Sequence, residues 1–156
     1  MEPNYVYKIL VRRVVDGDTI DVDVDLGFNL FTRDRVRLMG IDTPESRTRN
    51  LREKCLGKLS KARLKELIAE AKLLPGKRGK KDLVLKTSKQ GKGKFGRILG
   101  TIYCNGQDLN EVLIAEDHAR PYFGGGKNAL GPWVKEEEGQ WWRYTADGYV
   151  PFEYEI

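Results

Sequence analysis

Cysteine and histidine are scarce in this chain. Two cysteines, Cys55 and Cys104, and one histidine, His118, stand among 156 residues. Two isolated cysteines make neither a disulfide framework nor a zinc site, and both lie in apolar patterns that suit buried thiols. A lone histidine leaves zinc ligation and histidine-based acid–base chemistry without their usual residues. His118 follows a stretch of helical spacing, where a charged imidazole is favoured at the helix C-terminus. Apolar runs of membrane-spanning length are also missing. Residues Met1 to Tyr5 have neither a basic n-region nor an apolar h-region, so no secretion signal is expected and the protein is expected in the cytoplasm. No internal repeat and no linker divides the chain, so a single domain over 1–156 is expected.

What is abundant is charge. Charged residues make up 33% and hydrophobic residues 40%, with a net charge of +5. That balance fits a globular chain and favours polyanionic partners such as nucleic acid. The charge is uneven. Between Arg47 and Arg97 the only acids are Glu53, Glu66, Glu70 and Asp82. After Trp133 the sign reverses, with Glu136, Glu137, Glu138, Asp147, Glu153 and Glu155 against Lys135 and Arg143. A basic middle and an acidic end predict one positive face.

The pattern of elements starts with strands. Val6 to Val15 is rich in β-branched and aromatic residues, and Asp16-Gly17 suits a tight turn with positive φ. Ile20, Val22, Val24 and Leu26 then alternate with Asp21, Asp23 and Asp25, which predicts a strand with one buried and one solvated acidic face. These acids lack the glycine and glutamate positions of a helix–loop–helix calcium loop. Leu30 to Ile41 completes a three-stranded meander, stopped at Pro44. Leu51, Cys55, Leu59, Ala62, Leu67, Ala71 and Leu74 recur at helical spacing, so a helix is predicted from Leu51 to Leu74 with Asn50 as N-cap and Gly57 weakening its middle. A short strand at Leu83 to Lys86, a mobile Gly- and Lys-rich stretch at Thr87 to Lys94, and a strand from Arg97 to Tyr103 follow. Asn105-Gly106 reads as a turn and Asp108 to Asp117 as a second helix. Pro132 to Glu138 is read as a short helix. Mainly β with helices, this order predicts a five-stranded OB-like barrel carrying two or three helices.

Two clusters carry chemistry. Asp18, Asp42, Thr43 and Glu45 are hard oxygen donors suited to Ca²⁺ or Mg²⁺. Arg37 precedes Asp42 by five residues, so on an ideal strand the two point to opposite faces. They meet only if the chain turns between Gly40 and Thr43. Arginine suits phosphate because its planar fork donates two hydrogen bonds and keeps its charge. Arg97, entering a strand from a glycine-flanked loop, supplies a second cation able to neutralise charge growing on a phosphodiester. Arg35 is read as a surface residue. Tyr122 and Phe123 offer faces for stacking an unpaired base.

Four segments, Val-Asp-Gly-Asp-Thr (Val15 to Thr19), Arg-Leu-Met-Gly-Ile-Asp-Thr-Pro-Glu (Arg37 to Glu45), Lys-Phe-Gly-Arg (Lys94 to Arg97) and Leu-Asn-Glu-Val-Leu-Ile (Leu109 to Ile114), together resemble the staphylococcal nuclease, or thermonuclease, family, and in its order. The resemblance covers roughly Val6 to Tyr122, leaving 123–156 as a divergent aromatic and acidic extension. It implies an OB-like barrel and a Ca²⁺-dependent endonuclease, a hydrolase of DNA and RNA that leaves 3′-phosphates and works as a monomer away from membranes. By motif it implies Asp18, Asp42 and the Thr43 carbonyl as calcium ligands, and Glu45 as the residue that orients or deprotonates the attacking water. Arg37 becomes the phosphate ligand and Arg97 the stabiliser of the pentacoordinate phosphorane or leaving oxygen, with Lys94 and Tyr122 holding substrate. The chain departs from the family pattern at Gly93 (often Asp), at Phe95 (often Tyr) and after Tyr122. The alternative is a catalytically silent OB-like module that binds nucleic acid or protein; such a module has no need for Asp18, Arg37, Asp42, Glu45 and Arg97 together.

Overall fold

A computed structural model describes residues 4–76, 79–92, 96–124 and 130–153, with the backbone alone over 89–92. The alternating apolar residues form the predicted meander. Strands β1 (Val6–Asp16), β2 (Thr19–Gly27) and β3 (Leu30–Leu38) pair antiparallel in turn. Ile20, Val22 and Val24 point into the core, each contributing about 1.5–3 kcal/mol by burial. Leu26, at the end of the same alternation, lies beyond the core and is half exposed. The acidic face is not simply solvated: Asp21 pairs with Arg35, Asp23 with Arg12 and Arg33, and Asp25 with Lys80. Arg35 is thus a surface residue tied into a cross-strand ladder. Hydrogen bonds from these arginines hold the Asp21 and Asp23 carboxyls below their ordinary range.

Closure needs three further pairings. Strand β5 (Leu83–Lys92) lies antiparallel to β1, and β6 (Ile98–Cys104) antiparallel to β5. β3 then runs parallel to β6, with Arg37 opposite Leu99, giving a closed five-stranded OB-like barrel in the order β3-β2-β1-β5-β6. β5 is longer than the predicted short strand; it takes in Thr87 to Lys92, which were assigned to a mobile stretch. Lys94 lies outside the described residues. Closure matters for the site, because it brings the β6 entrance beside β3.

Two helices plug and flank the barrel. Helix α1 (Leu51–Ala69) starts at Asn50, whose side chain accepts from the Arg52 and Glu53 amides, as expected of an N-cap. It ends five residues before the predicted Leu74. The chain leaves the helix to make an isolated bridge between Leu73 and Lys81, with the Leu74 amide on the Lys80 carbonyl. Gly57 is required rather than merely tolerated: a Cβ there would stand 2.4 Å from the Glu45 carbonyl oxygen. Helix α2 (Leu109–Ala115) is capped by Asp108. Ile20, Val36, Leu64, Leu85, Ile102 and Leu113 fill the barrel interior. Both cysteines are free and buried, and burial pushes the Cys104 thiol up. His118 is half-buried, and burial lowers its pKa, so the folded protein disfavours the charged form that a helix C-terminus alone would favour.

The aromatic C-terminal part is a three-stranded antiparallel sheet of β9 (Val134–Glu137), β10 (Gln140–Thr145) and β11 (Gly148–Pro151). The expected helix at Pro132 to Glu138 is therefore a strand. Glu138 and Gly139 both take positive φ (53° and 78°), the geometry of a tight hairpin turn. Short strands β4 (Ile41–Asp42) and β8 (Arg120–Pro121) pair beside the barrel, and β7 (Gln107–Asp108) pairs antiparallel with the end of β6. Among the described residues no helix is long and apolar enough to cross a membrane.

Candidate functional site

The site forms where the β1–β2 turn, the end of β3 and the following loop meet. Gly17 lets α1 approach that turn: a Cβ there would sit 2.8 Å from the Ser60 Cβ and 3.2 Å from the Thr43 methyl. Gly17 has no positive φ, so close approach, not the turn conformation expected from Asp16-Gly17, demands glycine here. Asp18 is buried and held on all sides. Its Oδ1 accepts from the Thr19 hydroxyl (2.9 Å), its Oδ2 accepts from the Thr43 amide (3.2 Å), and its carbonyl accepts from the Leu38 amide (2.8 Å).

Arg37 stands on β3 opposite Thr19. Its Nη1 donates to the Leu38 carbonyl at 2.9 Å, and its Nη2 lies 3.4 Å from Asp18 Oδ2 and 4.0 Å from Asp42 Oδ1. The turn required by strand parity is present. β3 stops at Leu38, Gly40 takes φ 79°, and β4 returns with Asp42 on the side of Arg37. The Tyr122 amide donates to the Gly40 carbonyl, tying this turn to the chain after β8.

Asp18, Arg37, Thr43, Glu45, Arg97 and Tyr122 line one cavity of about 260 Å³. Asp42 does not line it. Its carboxylate faces a neighbouring cavity of about 350 Å³, which shares Thr43 and Glu45 with the first. There Asp42 Oδ2 accepts from Arg120 Nε and from Trp133 Nε1, each at 3.3 Å. Arg120 and Trp133 are themselves buried, and the guanidinium lies 4.2 Å from the Trp133 ring centroid and 5.0 Å from that of Tyr144. The loop after β4 is fixed in turn. The Ser46 hydroxyl donates to Asp16, and the Glu45 amide donates to Glu53 Oε2 at 3.2 Å. Glu53 is half-buried. Burial raises its pKa, and the charges of Glu45 and Asp42 raise it further.

Six of the eight residues singled out from sequence thus share one cavity, Asp42 lines the neighbouring one, and Lys94 falls outside the described residues. Arg120, Trp133 and Glu53 were not singled out. Arg120 and Trp133 lie 78 and 91 residues from Asp42 in the chain, and neither belongs to a motif or a periodic face. Among the described residues no three His, Cys, Asp or Glu side chains are placed to hold a metal ion.

Comparison with known proteins gives a consistent result. The family model for staphylococcal nuclease homologues matches residues 35–131. A thermonuclease of Staphylococcus intermedius is 32% identical over 114 residues, which are 73% of this chain and 59% of that protein. A thermonuclease of Staphylococcus hyicus is 32% identical over 75% of this chain and 59% of its own length. The endonuclease YncB of Bacillus subtilis is 31% identical over 72% of this chain and 47% of its own. The chain therefore spans less than two thirds of the length of these relatives.

Proposed function

Because the chain belongs to the staphylococcal nuclease family, we propose that it is a Ca²⁺-dependent endonuclease that hydrolyses phosphodiester bonds of DNA, RNA or both and leaves 3′-phosphates. The observation that carries this reading is the 260 Å³ cavity, in which Arg37 and Arg97 face the carboxylates of Asp18 and Glu45. A phosphodiester seated there meets both of these cations and both of these carboxylates in one lining. Arg37 binds the phosphate through the fork that its Nη1 bond to Leu38 holds in place. Arg97 offsets the charge that grows on the phosphorane or the leaving oxygen. Glu45, exposed on the cavity rim, orients or deprotonates the attacking water, a role worth about 10²–10⁴-fold. Tyr122 offers an aromatic face to the substrate.

The residues fit a hard cation. Asp18, Asp42 and Thr43 supply oxygen donors only, and the Thr43 hydroxyl is buried with no hydrogen-bond partner among the described residues. Asp18, Asp42 and the Thr43 carbonyl would hold the ion. When bound, Ca²⁺ polarises the phosphoryl oxygen and lowers the cost of negative charge there. The same reading joins the barrel to the C-terminal sheet as one working unit, supported by the Trp133 bond to Asp42.

Incubation of the purified protein with single-stranded DNA, with and without Ca²⁺, tests the proposal. Cleavage by the wild type is expected only with Ca²⁺, and Glu45→Gln and Arg97→Ala are expected to lose it by orders of magnitude. DNA bound but uncut by the wild type in Ca²⁺ would instead mark a silent OB-like binding module. Equal cleavage by all three proteins would place the chemistry elsewhere.

A further inference from the structure

One flank of α1 carries charge of a single sign. Lys54, Lys58, Lys61 and Lys65 recur at i, i+4, i+7 and i+11, the spacing of one helix face. At 1.5 Å per residue this stripe is about 16 Å long. The other flank is neutralised, since Arg63 pairs with Glu66 and with Glu116. Among the described residues none of the four stripe lysines pairs with a carboxylate, although Lys58 and Lys65 are exposed and Lys54 and Lys61 half-buried. Four like charges on one helix face repel one another by a few tenths of a kcal/mol per neighbouring pair. Ion pairing among the described residues does not offset that repulsion.

The far end of the stripe opens on a groove of about 420 Å³. There Lys61 and Lys65 face Arg12 and Arg13 of β1 over an apolar floor that includes Val14 and Ile68. Arg12 is engaged by Asp23, while Arg13 makes no ion pair among the described residues. At the near end of the stripe, Lys54 follows Glu53, which lines the second cavity and accepts from the Glu45 amide. Between the ends, α1 rests on two segments that build the cavity, Gly57 against Glu45 of the loop after β4 and Ser60 against Gly17 of the β1–β2 turn. Asp16 lines the cavity and Arg13 the groove. They are three residues apart on β1, about 10 Å along a strand.

A cationic path of this length, with neighbouring lysines about one helical turn apart and no carboxylate paired with them among the described residues, matches a flexible polyanion better than a single phosphate. We propose that the Lys54–Lys65 stripe and the Arg13 groove bind the phosphate backbone of a polynucleotide strand running on from the site cavity. With one charge per roughly 3.4 Å of strand, such a path takes about five phosphates, so the substrate class is a strand of several nucleotides rather than a di- or trinucleotide. The inference takes its substrate from the phosphodiesterase reading above, but its test does not need cleavage.

Fluorescent single-stranded DNA of 4 and 20 nucleotides is titrated with the full chain in EDTA over a range of salt. The Lys61→Gln/Lys65→Gln double variant is compared with a charge-matched control, Lys72→Gln/Lys80→Gln, and thermal melts confirm that all three proteins fold. The Lys61/Lys65 variant is expected to bind the 20-mer about tenfold more weakly at low salt. Its log affinity against log salt slope is expected to be shallower by about 1.4, since each lost phosphate contact on a single strand removes about 0.7. The control is expected to lose less than twofold, and the 4-mer to discriminate little among the three. Equal loss in both double variants, or in neither, overturns the track. So does a Lys61/Lys65 effect seen only with phosphatidylserine-containing vesicles, which would assign the stripe to an anionic membrane surface. Adding Ca²⁺ separates the two proposals. A wild type that binds through Lys61 and Lys65 without cutting defeats the phosphodiesterase reading alone, and one that cuts while both variants bind the 20-mer alike defeats the track alone.

Discussion

Arg120 grips Asp42 with two nitrogens, Nε and Nη2, each 3.3 Å from the same oxygen, Oδ2. Both residues are almost wholly buried, at 3% and 1% exposed. The arrangement leaves the other carboxylate oxygen toward Arg37, so a residue of β8 sets which edge of Asp42 the site meets. Removing one member of a buried pair strands a charge and costs about 3–5 kcal/mol, whereas replacing both with apolar groups costs far less. Arg120→Met is therefore expected to be severely destabilised in urea denaturation, and Arg120→Met/Asp42→Leu to be more stable than Arg120→Met. A double variant that loses the sum of the two single losses would show that the pair carries no buried charge coupling. Arg120→Lys is expected to fall between, because a point charge cannot make the fork contact.

The three tryptophans separate two of their kind sharply. Trp133 donates its indole N–H to Asp42, while the Trp142 indole nitrogen is buried with no partner among the described residues. Trp133→Phe keeps a ring against Arg120 but loses the donor, at a cost of about 0.5–1.5 kcal/mol. Because the lost bond orients a proposed ligand, Ca²⁺ affinity is expected to fall about tenfold or more, read by terbium luminescence with Ca²⁺ competition. Trp142→Phe removes an unsatisfied buried donor, so its stability is expected to be unchanged or higher and its Ca²⁺ affinity unchanged. Indistinguishable behaviour of the two variants would remove the reason for tying the C-terminal sheet to the site.

Much of the barrel was legible because its signals are local. Ile20, Val22 and Val24 alternate with acids, and the buried face follows directly from a period of two. Asn50 and Asp108 cap the helices they were expected to begin. The helix end was misplaced because Ala71 continues the apolar spacing, yet it packs in the core after the helix has ended. Strand parity alone set Arg37 and Asp42 apart, and only Gly40 and Pro44 hinted at the turn that brings them near. The C-terminal sheet was missed for a different reason. Its first turn, Glu138-Gly139, is not one of the usual positive-φ pairs, and the second hairpin turns at Ala146-Asp147, with Thr145 paired to Gly148 and no positive φ at either turn residue. Arg120 and Trp133 carry no local signal, since their partner is set by tertiary packing.

Gly57 supplies a test in which local and tertiary effects have opposite signs. In a helix interior, alanine is favoured over glycine by about 1 kcal/mol. At this position the new methyl meets the backbone of Glu45 and Ser46 at 2.4–2.6 Å, and neither strand of chain can yield without moving the loop. Gly57→Ala is expected to be destabilised by about 1–3 kcal/mol, the usual cost of overpacking, and to lose the proposed nuclease activity beyond its loss of folded protein, because Glu45 shifts. Measurement of both quantities at a temperature where the variant is fully folded checks this. A stabilised Gly57→Ala with wild-type activity would mean that α1 does not rest on the Glu45 loop.

His118 sets a pH dependence whose sign can be worked out. Burial, reinforced by Arg143 and Arg63, lowers its pKa, while Glu116 and Asp117 oppose this only in part. The unfolded chain titrates near 6.5, so below about that pH it takes up a proton before the folded protein does. Stability must then fall as the pH drops below about 6.5 and level off once the folded pKa is passed. The Ser60 hydroxyl bonds the His118 carbonyl rather than the ring, so replacing the imidazole leaves that link between α1 and the segment after α2 intact. Urea denaturation at pH 5, 6, 7 and 8 is expected to show the wild type losing stability toward pH 5 more steeply than His118→Asn. The carboxylates titrate in both proteins, so the difference between the two curves isolates the imidazole. A difference of opposite sign, with the wild type gaining relative to His118→Asn as the pH falls, would mean that Glu116 and Asp117 outweigh burial and hold the ring charged in the folded state.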